Sequence, residues 1–276
     1  MKAITTIVIL LVLALTLSCD KPKEGNFQIR ESVFGETPEG TAMLYHLESP
    51  DGMSLDITNY GGTIVRWELP SKAGSKTDIV LGYDNLGDYL DSPHYFGSIT
   101  GRYTNRIARA EFAVGDETYP LRTNDGPHQL HGGLKGFDKA LWTAETLQTD
   151  TSAILRLRHT SPHLSEGFPG NLEVTATYQL KKNYSLEITF EAQTDQTTLC
   201  NLSQNLAFNL SGSGSILNHL LRIHADRFTP VDSTLIPTGD LSPVAFTPFD
   251  FREFRSIGER IAQQHPQLHY GNGYDH

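Results

Sequence analysis

Alternating hydrophobic and polar residues dominate the chain beyond residue 27. Residues 172–180 read LEVTATYQL and residues 186–192 read LEITFEA, so every second residue of each run is hydrophobic. A period of two places those side chains on one face of a β-strand. The polar segment KKNYS lies between the two runs. This pattern predicts an antiparallel hairpin.

Other short runs predict the same kind of structure elsewhere in the chain. A second hairpin is expected from residues 112–114 and 118–121, which flank Gly115-Asp116. Single strands are expected at 53–57 and 153–158, and short helices at 84–91 and 254–264. Many short strands between Gly-, Asn- and Pro-bearing turns favour an all-β sandwich or barrel. No segment resembles a linker, so one domain is expected over residues 27–276.

Composition narrows the class of protein. The chain has 276 residues, of which 38% are hydrophobic and 20% charged, and its formal net charge is −10. A domain of this size can bury enough apolar surface to fold without disulfides. The acidic balance and the absence of a Lys/Arg run argue against a nucleic-acid partner.

The first residues have the pattern of an export signal. Met1-Lys2 precedes residues 4–17, an apolar run interrupted only by threonines and too short to span a bilayer comfortably. The run ends at Ser18-Cys19, as at a bacterial lipoprotein cleavage site. We therefore expect a signal peptide at 1–18, lipidation of Cys19 and a polar tether at 19–26. The protein would then be exported and held only by its lipid anchor, in the periplasm or at the cell surface. The alternative is an ordinary signal peptide with an incidental cysteine.

Only one cysteine besides Cys19 is present. If Cys19 is acylated, Cys200 has no partner for an intrachain disulfide. No neighbouring motif would activate its thiol. Cys200 is therefore expected to be a small buried hydrophobic residue.

Two polar clusters between strands are not explained by the alternation. Residues 101–107 read GRYTNRI, and residues 124–133 read NDGPHQLHGG. Arginine and asparagine offer fixed donors that suit sugar hydroxyls. Gly132-Gly133 next to His131 would let a ligand approach the backbone closely. Taken singly, such an arginine is more often part of a surface ion pair, and such a histidine is more often structural or exposed.

Together, these clusters resemble the aldose 1-epimerase (galactose mutarotase) family. The segments that carry the resemblance are NYGG (59–62), GRYTNRIA (101–108), LHGG (130–133), GFPGNL (167–172), TPVD (229–232), IPTG (236–239), TPFDF (247–251) and GYDH (273–276). They occur in the order typical of the family, from about Leu44 to the last residue.

The resemblance implies a large antiparallel β-sandwich that interconverts the α and β anomers of free hexoses such as galactose or glucose. It implies no metal and no organic cofactor. Ring opening requires a base that takes the proton of the anomeric hydroxyl and an acid that protonates the ring oxygen. By motif, Asn105 and Arg106 would bind hydroxyls or the ring oxygen, and His131 would hold another part of the sugar. Asp275 would accept hydrogen bonds from hydroxyls.

Two departures from the family pattern bear on catalysis. The family's general-acid histidine lies in a strand that typically reads NLTNHSYFNL, whereas residues 201–210 read NLSQNLAFNL and place Asn205 at the histidine position. An asparagine cannot deliver a proton, and loss of a general acid typically costs about 10²–10⁴ in rate. Ala207 replaces a nearby aromatic residue. The family's general-base glutamate belongs to a segment beyond His276, and neither Glu253 nor Glu259 matches it.

These departures leave three interpretations open. The chain is an exported mutarotase, a carbohydrate-binding relative without turnover, or a non-functional fragment that lacks the C-terminal strands. The third follows from the end at Asp275-His276, which suggests a truncated gene model, a frameshifted fragment or a decaying copy. A metal site at His159 and His163 is not supported by a helix or by a carboxylate partner. The preferred sugar and the oligomeric state do not follow from the sequence.

Overall fold

The computed structural model describes residues 26–71 and 74–275. The predicted signal peptide, the lipidation at Cys19 and the tether up to residue 25 lie outside the described residues. Within the described residues, no helix is both long enough and apolar enough to cross a membrane.

The described residues form mostly short strands. In chain order they are β1 (Gln28–Thr37), β2 (Gly40–Glu48), β3 (Ser54–Thr58), β4 (Thr63–Pro70), β5 (Lys76–Asp78), β6 (Ile99–Thr100), β7 (Arg106–Ile107), β8 (Glu111–Val114), β9 (Glu117–Pro120), β10 (Gln129–Leu130), β11 (Thr143–Gln148), β12 (Ser152–Ser161), β13 (Leu172–Lys181), β14 (Ser185–Thr194), β15 (Ser203–Gln204), β16 (Leu220–Leu221), β17 (Arg227–Phe228), β18 (Ser242–Pro243) and β19 (Arg255–Ser256). The α-helices are α1 (Leu86–Asp91) and α2 (Pro266–Tyr270), and 3₁₀ turns lie at Ala108–Ala110, Phe137–Lys139, Ser165–Gly167, Ile216–Asn218 and Ile257–Glu259.

Two antiparallel meanders form a sandwich. Strands β1 to β5 make one sheet in chain order, and β11 to β14 make the other. Leu55 and Ile64 from the first sheet and Leu155 and Tyr178 from the second are fully buried in one shared core. Burying a large apolar side chain contributes roughly 1.5–3 kcal/mol, so this shared layer is the main source of stability. The expected all-β sandwich is therefore confirmed.

The hairpins predicted from alternation are confirmed. Strands β13 and β14 pair with Leu180 opposite Leu186, and the even-numbered residues of β13 point into the core. Strands β8 and β9 form the second hairpin. The helix expected near residue 84 begins after Asn85, whose side chain accepts a hydrogen bond from the backbone N–H of Asp88.

Two local expectations are wrong. Residues 254–264 hold β19 and a 3₁₀ turn instead of an α-helix, because β19 pairs with the distant strand β16. The α-helix begins at Pro266, after an N-cap at His265. Cys200 is exposed instead of buried. The segment 201–210 has regular secondary structure only in β15, which pairs with β6.

Candidate functional site

The five residues predicted to form the site lie around one open cleft of about 610 Å³. Asn105, Arg106, His131, Asn205 and Asp275 all line it. They come from four separate parts of the chain. The fold thus brings together residues that lie up to 170 positions apart, while their roles remain predictions.

The two-stranded pairing of β7 with β10 places Arg106 beside His131. Leu130 is opposite Arg106 in this pairing. One step further, the backbone N–H of His131 donates to the carbonyl of Asn105 at 3.1 Å. Asn105 and His131 both adopt left-handed backbone conformations, with φ of 69° and 53°. Such conformations are uncommon outside glycine, and here backbone hydrogen bonds hold them at the cleft.

His131 is held as a neutral hydrogen-bond donor. Its Nδ1 accepts the backbone N–H of Asn105 at 3.2 Å, so the ring proton resides on Nε2. Burial, with the nearby positive charge of Arg106, lowers the pKa of His131 to about 4. The ring packs against Tyr95 with 4.6 Å between ring centroids. At neutral pH the imidazole therefore offers one N–H in a fixed orientation.

The guanidinium of Arg106 is held in a fixed plane, and its terminal nitrogens remain available as donors. Its Nε donates to Oδ2 of Asp125 at 2.7 Å, and its side chain is only 11% exposed. The side-chain oxygen of Asn105 accepts the backbone N–H of Arg106. Neither terminal nitrogen of the Arg106 guanidinium has a hydrogen-bond partner among residues 26–71 and 74–275. These nitrogens can donate to ligand oxygens.

The glycines after His131 serve chain packing. Gly132 has φ of 95°, and a Cβ there would overlap the carbonyl oxygen of Gly101. A Cβ at Gly133 would overlap the carboxylate of Glu166. The expectation that these glycines admit a ligand is therefore wrong, because another segment of the chain fills that space. Glu166 also accepts the backbone N–H of Leu134 at 2.9 Å, which fixes the loop that carries His131.

Arg102, in the same sequence cluster as Arg106, is buried inside the loops. It is 2% exposed, and burial lowers its pKa to about 10, so it stays charged at neutral pH. Its guanidinium donates to the carbonyls of Ser161, Pro162, Pro169 and Gly170 and to two hydroxyls. Arg102 therefore joins three loops near the site and is not available to a ligand.

Asn205 is bound to the segment that forms one wall of the cleft. Its Nδ2 donates to the carbonyl of Tyr95 at 3.1 Å, and its backbone bonds to Gly97 and Ser98. An amide can hold this wall in place but cannot release a proton at neutral pH. The structure thus gives Asn205 a positioning contact at the position of the expected acid.

Sequence reasoning missed the aromatic wall itself. His94, Tyr95 and Phe96 line the cleft, and the His94 ring stacks on Phe96 at 5.1 Å. Burial raises the pKa of Tyr95 to about 12, so its hydroxyl stays protonated. The signal that could have found this wall is a run of three ring-bearing residues between α1 and β6, where no core strand requires them.

A carboxylate also lines the cleft. It belongs to Asp275, and its charge acts on His131 in the direction that raises the imidazole pKa. Donors at Arg106 and His131 therefore share the cleft with a carboxylate acceptor. Among the described residues, no group of three or more His, Cys, Asp or Glu is arranged to hold a metal ion.

An antiparallel β-sandwich with a polar cleft between its loops is the class that the fold and the site define. A profile of the aldose 1-epimerase family matches residues 43–276. The chain is 41% identical over 252 residues to galactose mutarotase of Sus scrofa, covering 90% of this chain and 70% of that protein. It is 36% identical to aldose 1-epimerase of Escherichia coli K12, covering 84% and 66%. This chain belongs to the aldose 1-epimerase family.

Solved structures agree with that assignment. Galactose 1-epimerase from Lactobacillus acidophilus superposes with a TM-score of 0.82 at 27% identity, covering 90% of this chain and 72% of that one. An aldose epimerase homologue from C. elegans superposes with a TM-score of 0.72 at 29% identity, covering 78% and 66%. The fold similarity thus extends over most of the described residues.

Proposed function

We propose that this protein interconverts the α and β anomers of a free hexose in the cleft around Arg106 and His131. Galactose and glucose are the first candidate substrates. The observation that carries the proposal is the placement of fixed donors at Arg106 and His131 in one cleft with the carboxylate of Asp275. The cleft volume of about 610 Å³ lies within the roughly 300–1,000 Å³ typical of small-molecule sites. Family membership supplies the reaction.

The chemistry assigns different tasks to the groups of the cleft. Arg106 and the Nε2–H of His131 donate to hydroxyl oxygens or to the ring oxygen, and Asp275 accepts from hydroxyls. Ring opening also needs a group that takes a proton and a group that gives one. Asn205 supplies neither. We assign this exchange to the carboxylate of Asp275 and the imidazole of His94, which line the same cleft.

A second candidate function is sugar binding without turnover. The observation that favours it is Asn205, whose amide is bound to the carbonyl of Tyr95 and cannot act as an acid. The binding groups at Asn105, Arg106 and His131 are unaffected by that substitution.

Polarimetry distinguishes the two candidates. The full-length protein, purified in mild detergent, is mixed with freshly dissolved α-galactose or α-glucose, and the decay of optical rotation is compared with buffer. We expect an accelerated decay that Arg106→Ala reduces at least about tenfold and that a chelator leaves unchanged. Arg66→Ala is the matched control, because Arg66 pairs with Asp84 away from the cleft. Decay at the buffer rate, with calorimetric heat of sugar binding, would favour the second candidate and contradict the first.

We further propose that the protein is exported and anchored by a lipid on Cys19. The support is the apolar run of residues 4–17 followed by Ser18-Cys19 and a polar segment. Incorporation of radiolabelled palmitate in a bacterial host tests this. The label should be lost in Cys19→Ser and kept in Cys200→Ser, the matched control at the other cysteine. Labelling of Cys19→Ser at the wild-type level would contradict the anchor.

A further inference from the structure

Asp125 lies next to the cleft and contacts Arg106. The Oδ2 of Asp125 accepts from Nε of Arg106 at 2.7 Å, although Asp125 does not itself line the cleft. We infer that Asp125 is a positioning residue, which aims the guanidinium of Arg106 at the sugar. This inference rests on the proposed use of the cleft for a hexose.

The geometry of the guanidinium gives this contact its effect. The group is planar, so a bond at Nε fixes both the plane and the direction of the two terminal nitrogens. Those nitrogens have no partner among the described residues. Arg106 without Asp125 would regain rotamer freedom, and a ligand would have to restrict that freedom on binding.

Asp125 is itself held by the loop that carries His131. Asp125 and His128 exchange backbone hydrogen bonds of 3.2 and 2.9 Å. Asn124 bonds through its side chain to both backbone groups of Leu130, the residue opposite Arg106 in the pairing of β7 with β10. The carboxylate and the guanidinium are thus attached to the same small sheet, which fixes their separation.

Charge gives the contact a second consequence. Arg106 lowers the pKa of His131, and Asp125 acts in the opposite direction. Asp125 thereby offsets part of the field of Arg106 at the imidazole. Because Asp125 compensates its charge, Arg106 can donate to neutral sugar oxygens without leaving an unpaired cation in a half-enclosed cleft.

Burial separates this pair from an ordinary surface ion pair. The side chains of Arg106 and Asp125 are 11% and 36% exposed, whereas those of Arg66 and Asp84 are 40% and 91% exposed. Exposed ion pairs contribute little to stability. The pair Arg66–Asp84 is therefore a matched control in the same chain.

The test compares sugar affinity and turnover in four full-length proteins: wild type, Asp125→Asn, Asp125→Glu and Asp84→Asn. Calorimetry with galactose gives Kd, and polarimetry gives kcat and KM. We expect Asp125→Asn to raise Kd and KM at least about fivefold, with a smaller change in kcat, because the lost contact acts before the chemical step. Asp125→Glu should recover part of the affinity, and Asp84→Asn should match wild type.

A double-mutant cycle separates the effect of the Arg106–Asp125 contact on sugar affinity from any effect on stability. In an Arg106→Lys background, Asp125→Asn should have little further effect on Kd, because the planar guanidinium that Asp125 orients is absent. A Kd for Asp125→Asn within twofold of wild type would overturn the inference while leaving the proposed function intact. Loss of the cooperative thermal melt in Asp125→Asn would also overturn it, since Asp125 would then act in folding. A wild type that neither binds galactose nor accelerates its mutarotation would overturn the proposed function itself.

Discussion

Two arginines four positions apart show what residue-level reading can and cannot predict. Arg102 and Arg106 share one motif, yet the first is enclosed by four carbonyls and the second faces the cleft. Their difference arises from contacts with residues about 60 positions away, which no local pattern encodes. The family resemblance, in contrast, did point to Arg106, His131 and Asp275, which the fold brings into one cleft.

Asn205→His tests whether the missing acid limits turnover. A histidine at this position could supply the proton that asparagine cannot, so we expect polarimetric kcat to rise at least about tenfold and at most by the roughly 10²–10⁴ typical of a general acid. Asn201→His, in the same segment but outside the cleft-lining residues, is the control. An unchanged kcat would show that another group of the cleft already provides the proton.

The low pKa of His131 predicts how galactose binding should respond to pH. Because the folded-state pKa is about 4, the imidazole stays neutral as pH falls through 6.5, where an ordinary histidine would become charged. We expect the Kd for galactose to be constant between pH 7.5 and 5.5 and to rise as pH approaches 4. Calorimetry across this range checks the prediction, with circular dichroism confirming the fold at each pH. A Kd that changes around pH 6.5 would contradict the assigned tautomer.

At the scale of elements, the predictions succeeded where local pattern and long-range packing agree. Strand β13 alternates cleanly because one of its faces meets the shared core. The helix expected at 254–264 failed because Ser256 pairs with Leu220, a contact that local propensity does not reveal. Residues of the small sheets β7–β10 and β6–β15, which carry the site, form runs too short for a periodicity to show.

The loops around the site depend on Arg102. A lysine in its place has a single ammonium with three donors and would leave several buried carbonyls without partners. We expect Arg102→Lys to lower the free energy of unfolding by about 3 kcal/mol or more. Urea unfolding followed by circular dichroism measures it. The control Arg158→Lys, at an exposed ion pair, should change it by less than about 1 kcal/mol, and a similar loss in both variants would contradict the role of Arg102.

At the scale of the whole molecule, the two sheets and the cleft differ in how far the sequence predicts them. The sandwich is specified by alternation spread over long strands, so its class could be predicted from the sequence. The cleft collects residues from loops between 93 and 275 on that scaffold, so only the family resemblance could relate them. The chain spans 70% of the length of the mammalian galactose mutarotases that it matches, and the cleft-forming loops lie within the shared part.

The location of a bound hexose tests this account most directly. A crystal structure of the full-length protein in complex with galactose should show the sugar in the cleft, with an oxygen within hydrogen-bond distance of an Arg106 terminal nitrogen and another near Nε2 of His131. The pair Arg106–Asp125 should be intact in the complex. A sugar bound elsewhere, or an empty cleft at a galactose concentration that saturates the protein by calorimetry, would contradict the assignment of this cleft.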